Sequence, residues 1–333
     1  MAYITQAVSL TAVAALNGGD CGKGCAPGTH ATFAAVSTAV SGGAPYLYVN
    51  SHDGAHDQWD ALALTGWTHN PTDVFGFQDF IMVVNGEETL PLARSVDGGK
   101  SVTYLAGNTD MATHPPLAGD MLTPDKQVLV GKDGYIYLST DHGDTWQTVD
   151  AGVASSGEDL TQVRICRQNP AVLYAAGANG AIAASYNGGY AWVQVRRVPG
   201  GDDITALEVL HENEILVGTD ALELHHSLDG GESWIKQADL PSLPTAGSIV
   251  ALFCCACGAV EKHGVCYAAV ADSSIAAAHR IYRNAGWGSG QWEIETGCAS
   301  LPAKPADLAA AHNNLAMVVG GNGTTTGFVG LLS

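Results

Sequence analysis

Lysine and arginine are scarce: the 333-residue chain carries 14 of them against 33 aspartates and glutamates, a formal charge of −19. A surface of that sign repels polyanions, so nucleic acid and anionic membranes are excluded as partners; a cation or a basic protein surface is the natural counterpart. Long apolar runs are missing too. None approaches the roughly 18 residues that a helix needs to cross a bilayer, so no membrane partner is expected. The first basic residue is Lys23. Residues 7–16 therefore lack the positive flank of an export signal, and the expectation is a protein made in the cytoplasm without a signal peptide. Charged residues of both signs amount to 14 %, while glycine occurs 41 times. That composition excludes a mainly helical chain and leaves a turn-rich, all-β one with ample material for a core.

What the chain has is a repeat. Ser139-Thr140-Asp141-His142-Gly143-Asp144-Thr145-Trp146 returns as Ser185-Tyr186-Asn187-Gly188-Gly189-Tyr190-Ala191-Trp192 and as Ser227-Leu228-Asp229-Gly230-Gly231-Glu232-Ser233-Trp234. Ser95-Val96-Asp97-Gly98-Gly99-Lys100-Ser101 lacks only the final Trp. Two looser copies place Ser51 and Asp53 ahead of Trp59, and Asn284 ahead of Trp292. The serines at 51, 95, 139, 185 and 227 lie 44, 44, 46 and 42 residues apart, a period that means a repeat architecture.

The pattern S-x-D-x-G-x-[TS]-W resembles the Asp-box, or BNR repeat, of sialidases and related β-propellers. Its chemistry suits a hairpin staple: Asp or Asn accepts nearby backbone N–H groups, Gly takes the positive φ, and Trp returns the chain to apolar packing. In that family the boxes sit on the outer strand connection, away from the central site, so the resemblance implies a fold and assigns no activity. The resemblance implies a single propeller domain over residues 1–333, built of four-stranded antiparallel blades. Residues 159–166, 171–177, 181–185 and 192–198 form the clearest blade, with the box closing the third strand. Residues 307–333 supply three strands of a last blade and then stop, and the N-terminal segment 1–8, through its strand 3–8, is suited to fill the missing outer place. That closure gives seven blades, with six as the alternative.

Three segments depart from the repeat. The Gly/Cys-rich loop insertion at 17–30 resembles a phosphate cradle, but Lys23 is followed by Gly24 and not by Ser or Thr, so it is read as a surface loop. Cys254, Cys255, Cys257, His263 and Cys266 include a zinc-like set, yet adjacent cysteines on a strand face opposite ways, which favours disulfides or burial over a metal. The Gly/Trp turn at 284–290 reads as a surface excursion. No cofactor is expected.

Catalysis finds little footing. Sialidases need three arginines, the first ahead of the first box, and the first arginine here is Arg94. A glycosidase needs two facing carboxyls; Asp73, Asp159, Asp203 and Asp307 recur before inner strands, and that recurrence reads as turn or strand-start chemistry. The expectation is a non-enzymatic structural protein, a virion component of a tailed bacteriophage such as a capsid-decorating, collar or tail protein, with other virion or assembly proteins as partners. A glycan-binding protein or glycoside hydrolase of the Asp-box type is the alternative, with a glycan as partner and an extracellular location. Eight cysteines in such a chain suit a particle assembled in a reducing cell and oxidised after release. Cys21, Cys25, Cys254, Cys255, Cys257, Cys266 and Cys298 are the candidates for disulfides, interchain ones included, and are expected at the surface more than in the core.

Overall fold

The structure, a computed structural model, describes residues 3–6, 9–16, 32–39, 43–51, 59–149, 157–237, 240–255, 265–273, 279–286, 291–295, 301, 303–312, 315–321 and 327–332. These form seven four-stranded antiparallel sheets in chain order. Blades one to six cover 10–63, 73–105, 116–149, 160–194, 204–236 and 247–294, and blade seven joins 304–332 to Tyr3–Gln6. Within each blade sequential strands pair side by side, as short turns rich in glycine and asparagine require. The first strand of every blade but the seventh lies against those of the blades on either side, and the inner strand of blade seven touches those of blades six and one, so the sheets close into a ring. The fold is a β-propeller.

The last blade takes its outer strand from the other end of the chain. Tyr3, Ile4, Thr5 and Gln6 pair antiparallel with Gly330, Val329, Phe328 and Gly327. Closure through the first and last residues leaves the ring without an open blade that would need a capping repeat.

The core is distributed between the blades. Seven buried apolar clusters each draw on two consecutive blades, such as Ala118, Val128, Val130 and Ile136 of blade three against Leu160, Val163, Leu173 and Trp192 of blade four. Alternate residues of a strand face opposite sides. The middle strands, buried on both faces, therefore read as continuous apolar runs such as Phe80–Val84 and Leu173–Gly177. The outer strands are shorter than their sequence suggests. In place of 192–198 the structure has only Val193–Gln194, because Trp192 turns inward and donates Nε1–H to the Gly189 carbonyl at 3.0 Å.

Six of the seven inner strands share a bulge, and that of blade two pairs without one. A register shift falls between Leu10 and Ala12, Pro116 and Ala118, Leu160 and Gln162, Ile204 and Ala206, Ile249 and Ala251, and Pro305 and Asp307. It sets one common register, so residues equally far past it occupy one layer around the central axis.

Candidate functional site

The repeated turns share one hydrogen-bond net. In blade three the Ser139 Oγ–H donates to Asp141 Oδ1 at 2.8 Å and accepts the Gly143 N–H at 2.9 Å, while Asp141 accepts the Thr145 N–H and hydroxyl. Ser95 with Asp97, Ser185 with Asn187 and Ser227 with Asp229 repeat it. Hydrogen bonds from Ser101 hold the Asp97 carboxyl down at about 2, and those from Thr145 and Ser233 lower Asp141 and Asp229. Trp146 and Trp192 close the net by donating to the carbonyls of Gly143 and Gly189, but Trp234 donates to Arg196 of the preceding blade. In blade six Asn284 is buried, accepts the Gly286 N–H at 2.7 Å, and lies near a buried Trp292. Ser51 is exposed, and Asp53 lies outside the described residues. These side chains are spent on turns at the outer part of the blades and form no reactive group.

The cysteines divide. Cys254 and Cys266 are bonded across the first two strands of blade six, where they are register partners with Cα atoms 4.0 Å apart. The expectation of surface cysteines is corrected for Cys266 and Cys166, which are fully buried: Cys266 sits on a strand packed between blades, and Cys166, a free thiol, directly follows the inner strand of blade four and packs into the next cluster. Cys255 ends the inner strand of blade six. Cys21, Cys25, Cys257 and Cys298 lie outside the described residues, as does the whole of the 17–30 insertion. Among the described residues no three His, Cys, Asp or Glu side chains converge as metal ligands would.

The chemistry of the molecule gathers at the axis. An inner strand has no neighbour on its channel side, so some of its N–H groups need another acceptor. Carboxylates of the preceding blade supply it. Asp73 Oδ2 accepts the Gly119 N–H at 2.9 Å, Asp120 Oδ2 accepts that of Ile165 at 2.8 Å, and Asp307 Oδ2 accepts that of Val13 at 2.9 Å. The other oxygen of each accepts the N–H of its own following residue. Arg167 pairs with Asp120 at 2.6 Å. Asp159 and Asp203, by contrast, accept the N–H of Asp133 and Asn179 in turns of the preceding blade. The sequence reading of these four aspartates as turn or strand-start residues is thus corrected for Asp307, which lies four residues into its inner strand; Asp73 does begin its strand, and both line the channel.

Between these groups lies a cavity of about 150 Å³. Two residues past the bulge its wall reads Ala14, Asp120, Arg164, Glu208, Phe253 and Ala309 in blades one and three to seven, and blade two, which has no bulge, adds Phe75. Among the described residues Arg164 makes one hydrogen bond, to the Val163 carbonyl at 2.8 Å, and Glu208 makes none. Burial pushes Glu208 up to about 7 against the pull of Arg164 and Arg167. Burial likewise pushes Asp73 to about 7 and Asp307 to about 6, opposed by the N–H groups of Gly119 and Val13. Burial disfavours the Arg164 charge, yet Asp120, Glu208, Asp73 and Asp307 more than offset it and hold the guanidinium above its usual range. The layer leaves a trace in the sequence. Gly119-Asp120-Met121, Val163-Arg164-Ile165 and Leu207-Glu208-Val209 each set a lone charge inside an otherwise uncharged inner strand at one register in three consecutive blades.

Known structures share this architecture. A structure of YCF48 from Cyanidioschyzon merolae matches 99 % of the chain and 98 % of its own at 14 % identity and a TM-score of 0.67. The likeness is one of fold. A second structure, YCF48 bound to a D1 peptide, matches at 12 % identity and 0.68 over 99 % of this chain and 97 % of that one. The GH74 enzyme of Niastella koreensis matches at 15 % identity and 0.64 over 97 % of this chain but 43 % of its own. No protein-family model matches the chain, and no curated protein matches it either.

Proposed function

We propose that this chain is a non-enzymatic interaction protein, an Asp-box propeller that works as one part of a larger assembly. The observation that carries this reading is the commitment of the axial carboxylates. A glycosidase needs two carboxyls free to face a sugar across roughly 5 to 10 Å. Three of the four here are each tied to two backbone N–H groups, and Asp120 also to Arg167. They join neighbouring blades, which leaves Glu208 alone. A cavity of about 150 Å³ is also well below the 300 to 1,000 Å³ of ordinary ligand clefts, and an oligosaccharide needs more room than this. A peptide-bound neighbour of the same fold and length supports the same reading, since a propeller face offers a broad surface to a partner.

Within that class we propose a virion component of a tailed bacteriophage, in a capsid-decorating, collar or tail position. The formal charge of −19 and eight cysteines suit a subunit that meets basic partner surfaces and is oxidised after release. Two measurements test the two levels. Incubation with sialosides and β-glucans is expected to release no sugar; release that is lost in Glu208→Gln would transfer the chain to the hydrolases. An antibody to the chain is expected to follow intact particles through a density gradient, and signal confined to the soluble fraction would remove the virion assignment.

A further inference from the structure

The wall of the axial cavity is unevenly built. In the layer that these residues form, blades three to five contribute Asp120, Arg164 and Glu208, blades two and six contribute Phe75 and Phe253, and blades seven and one contribute only Ala309 and Ala14. In a ring of seven, the two alanines stand across the axis from Arg164. The layer therefore has a charged end, two aromatic flanks, and an open side where the side chains stop at Cβ.

The charged end is unfinished. Asp120 is occupied by Arg167 and by two N–H groups. Arg164 spends one donor on a neighbouring carbonyl and bonds to no carboxylate, and Glu208 has no hydrogen bond to any described residue. A guanidinium with open donors and a carboxyl with open acceptors sit on adjacent blades at one level without bonding each other. Both residues are half-buried, and groups so placed carry part of a desolvation cost until something pairs with them. The missing partner must accept from Arg164 and donate to Glu208, which is the pattern of a zwitterion. A cavity near 150 Å³ holds a molecule of about the size of benzene, the scale of a small amino acid.

We propose that the axial cavity is a binding site for a free aliphatic α-amino acid, its α-carboxylate on Arg164, its α-ammonium on Glu208, and its side chain directed between Phe75 and Phe253 toward Ala14 and Ala309. The guanidinium fork matches a carboxylate in two parallel hydrogen bonds. Asp73 and Asp307 also line the cavity, whose wall contains no lysine. A ligand with only one of the two charges would complete one group and leave the other unpaired.

The experiment is titration calorimetry on the full chain with L-alanine, L-valine and L-leucine, each beside its N-acetyl derivative, which keeps only the carboxylate, and its amide, which keeps only the ammonium. Saturable binding of at least one free amino acid is expected, with both derivatives at least about tenfold weaker, a difference of roughly 1.4 kcal/mol or more. Arg164→Gln and Glu208→Gln should each lose binding by at least about tenfold. No heat from any free amino acid at about 10 mM, or an acetyl or amide derivative binding as tightly as its parent, would overturn the site. Because the derivatives are tested on the unaltered protein, the comparison among them decides the matter even where a variant folds poorly.

Discussion

A serine hydroxyl in the repeated turn does two things at once, and this is why the position matters more than its size suggests. Ser185 is fully buried, accepts the Gly189 N–H at 2.9 Å and donates to Asn187 at 3.0 Å. Ser185→Ala would leave that N–H without its acceptor inside the turn, at a cost of about 1 to 3 kcal/mol. Urea denaturation of the variant is the check, and an unchanged midpoint would mean that the net is ornamental. At the axis the expected sign is reversed. The Glu208 carboxyl goes from its ordinary 4.5 to about 7 on folding. Below pH 4.5 both states carry the proton and nothing is lost. Between pH 4.5 and 7 the unfolded chain ionises first, so this contribution to stability falls as pH rises, by on the order of 3 kcal/mol once pH exceeds 7. Glu208→Gln, which cannot ionise, should match the parent near pH 4 and exceed it at pH 8. Equal offsets at the two pH values would contradict the assignment.

At the level of strands, what is legible in the sequence depends on whether the cause is local. The turns are legible because Ser, Asp and Gly act on their own backbone within five residues. The N-terminal strand is legible because 307–333 parallels an earlier blade and stops one strand short. The axial layer escapes a local reading, since Asp120, Arg164 and Glu208 derive their meaning from neighbours more than 40 residues away, as the Asp120 bond to the Ile165 N–H illustrates. Asp73 and Asp307 stand out in the sequence but resemble turn or strand-start residues, because their place in the inner layer is set by strand pairing and not by flanking residues. The outer strands look longer in the sequence than they are, because hydrophobicity alone does not reveal that a tryptophan such as Trp192 folds back onto its own turn. The strand that closes the ring gives the test at this scale. Removing residues 1–8 strips four paired residues from the edge of blade seven, and the ring should lose several of the 5 to 15 kcal/mol that a domain commonly has. A shortened chain with the parent's denaturation midpoint would show that the pairing adds nothing.

For the whole molecule, the cysteines decide whether the ring can be locked to its neighbours. Cys254 and Cys266 already bond to each other within blade six, and Cys166 is buried with its thiol pushed up by that burial, so these three of the eight are unavailable to a partner. Any interchain bond must come from Cys21, Cys25, Cys255, Cys257 or Cys298. A disulfide between subunits would act chiefly by keeping dissociated partners at high local concentration, and it would form only after the particle left a reducing cell. The expected result on non-reducing electrophoresis, with exchange blocked, is therefore a ladder built on the 34.3 kDa chain that reductant collapses to one band. The ladder should survive Cys254→Ser with Cys266→Ser, whose loss instead weakens the fold by up to about 3 kcal/mol for a loop of this length. It should fade when Cys21, Cys25, Cys255, Cys257 and Cys298 are changed to Ser together. A lone 34.3 kDa band from the intact assembly, with or without reductant, would sink the crosslinking proposal and leave the Cys254–Cys266 bond as a staple internal to one blade.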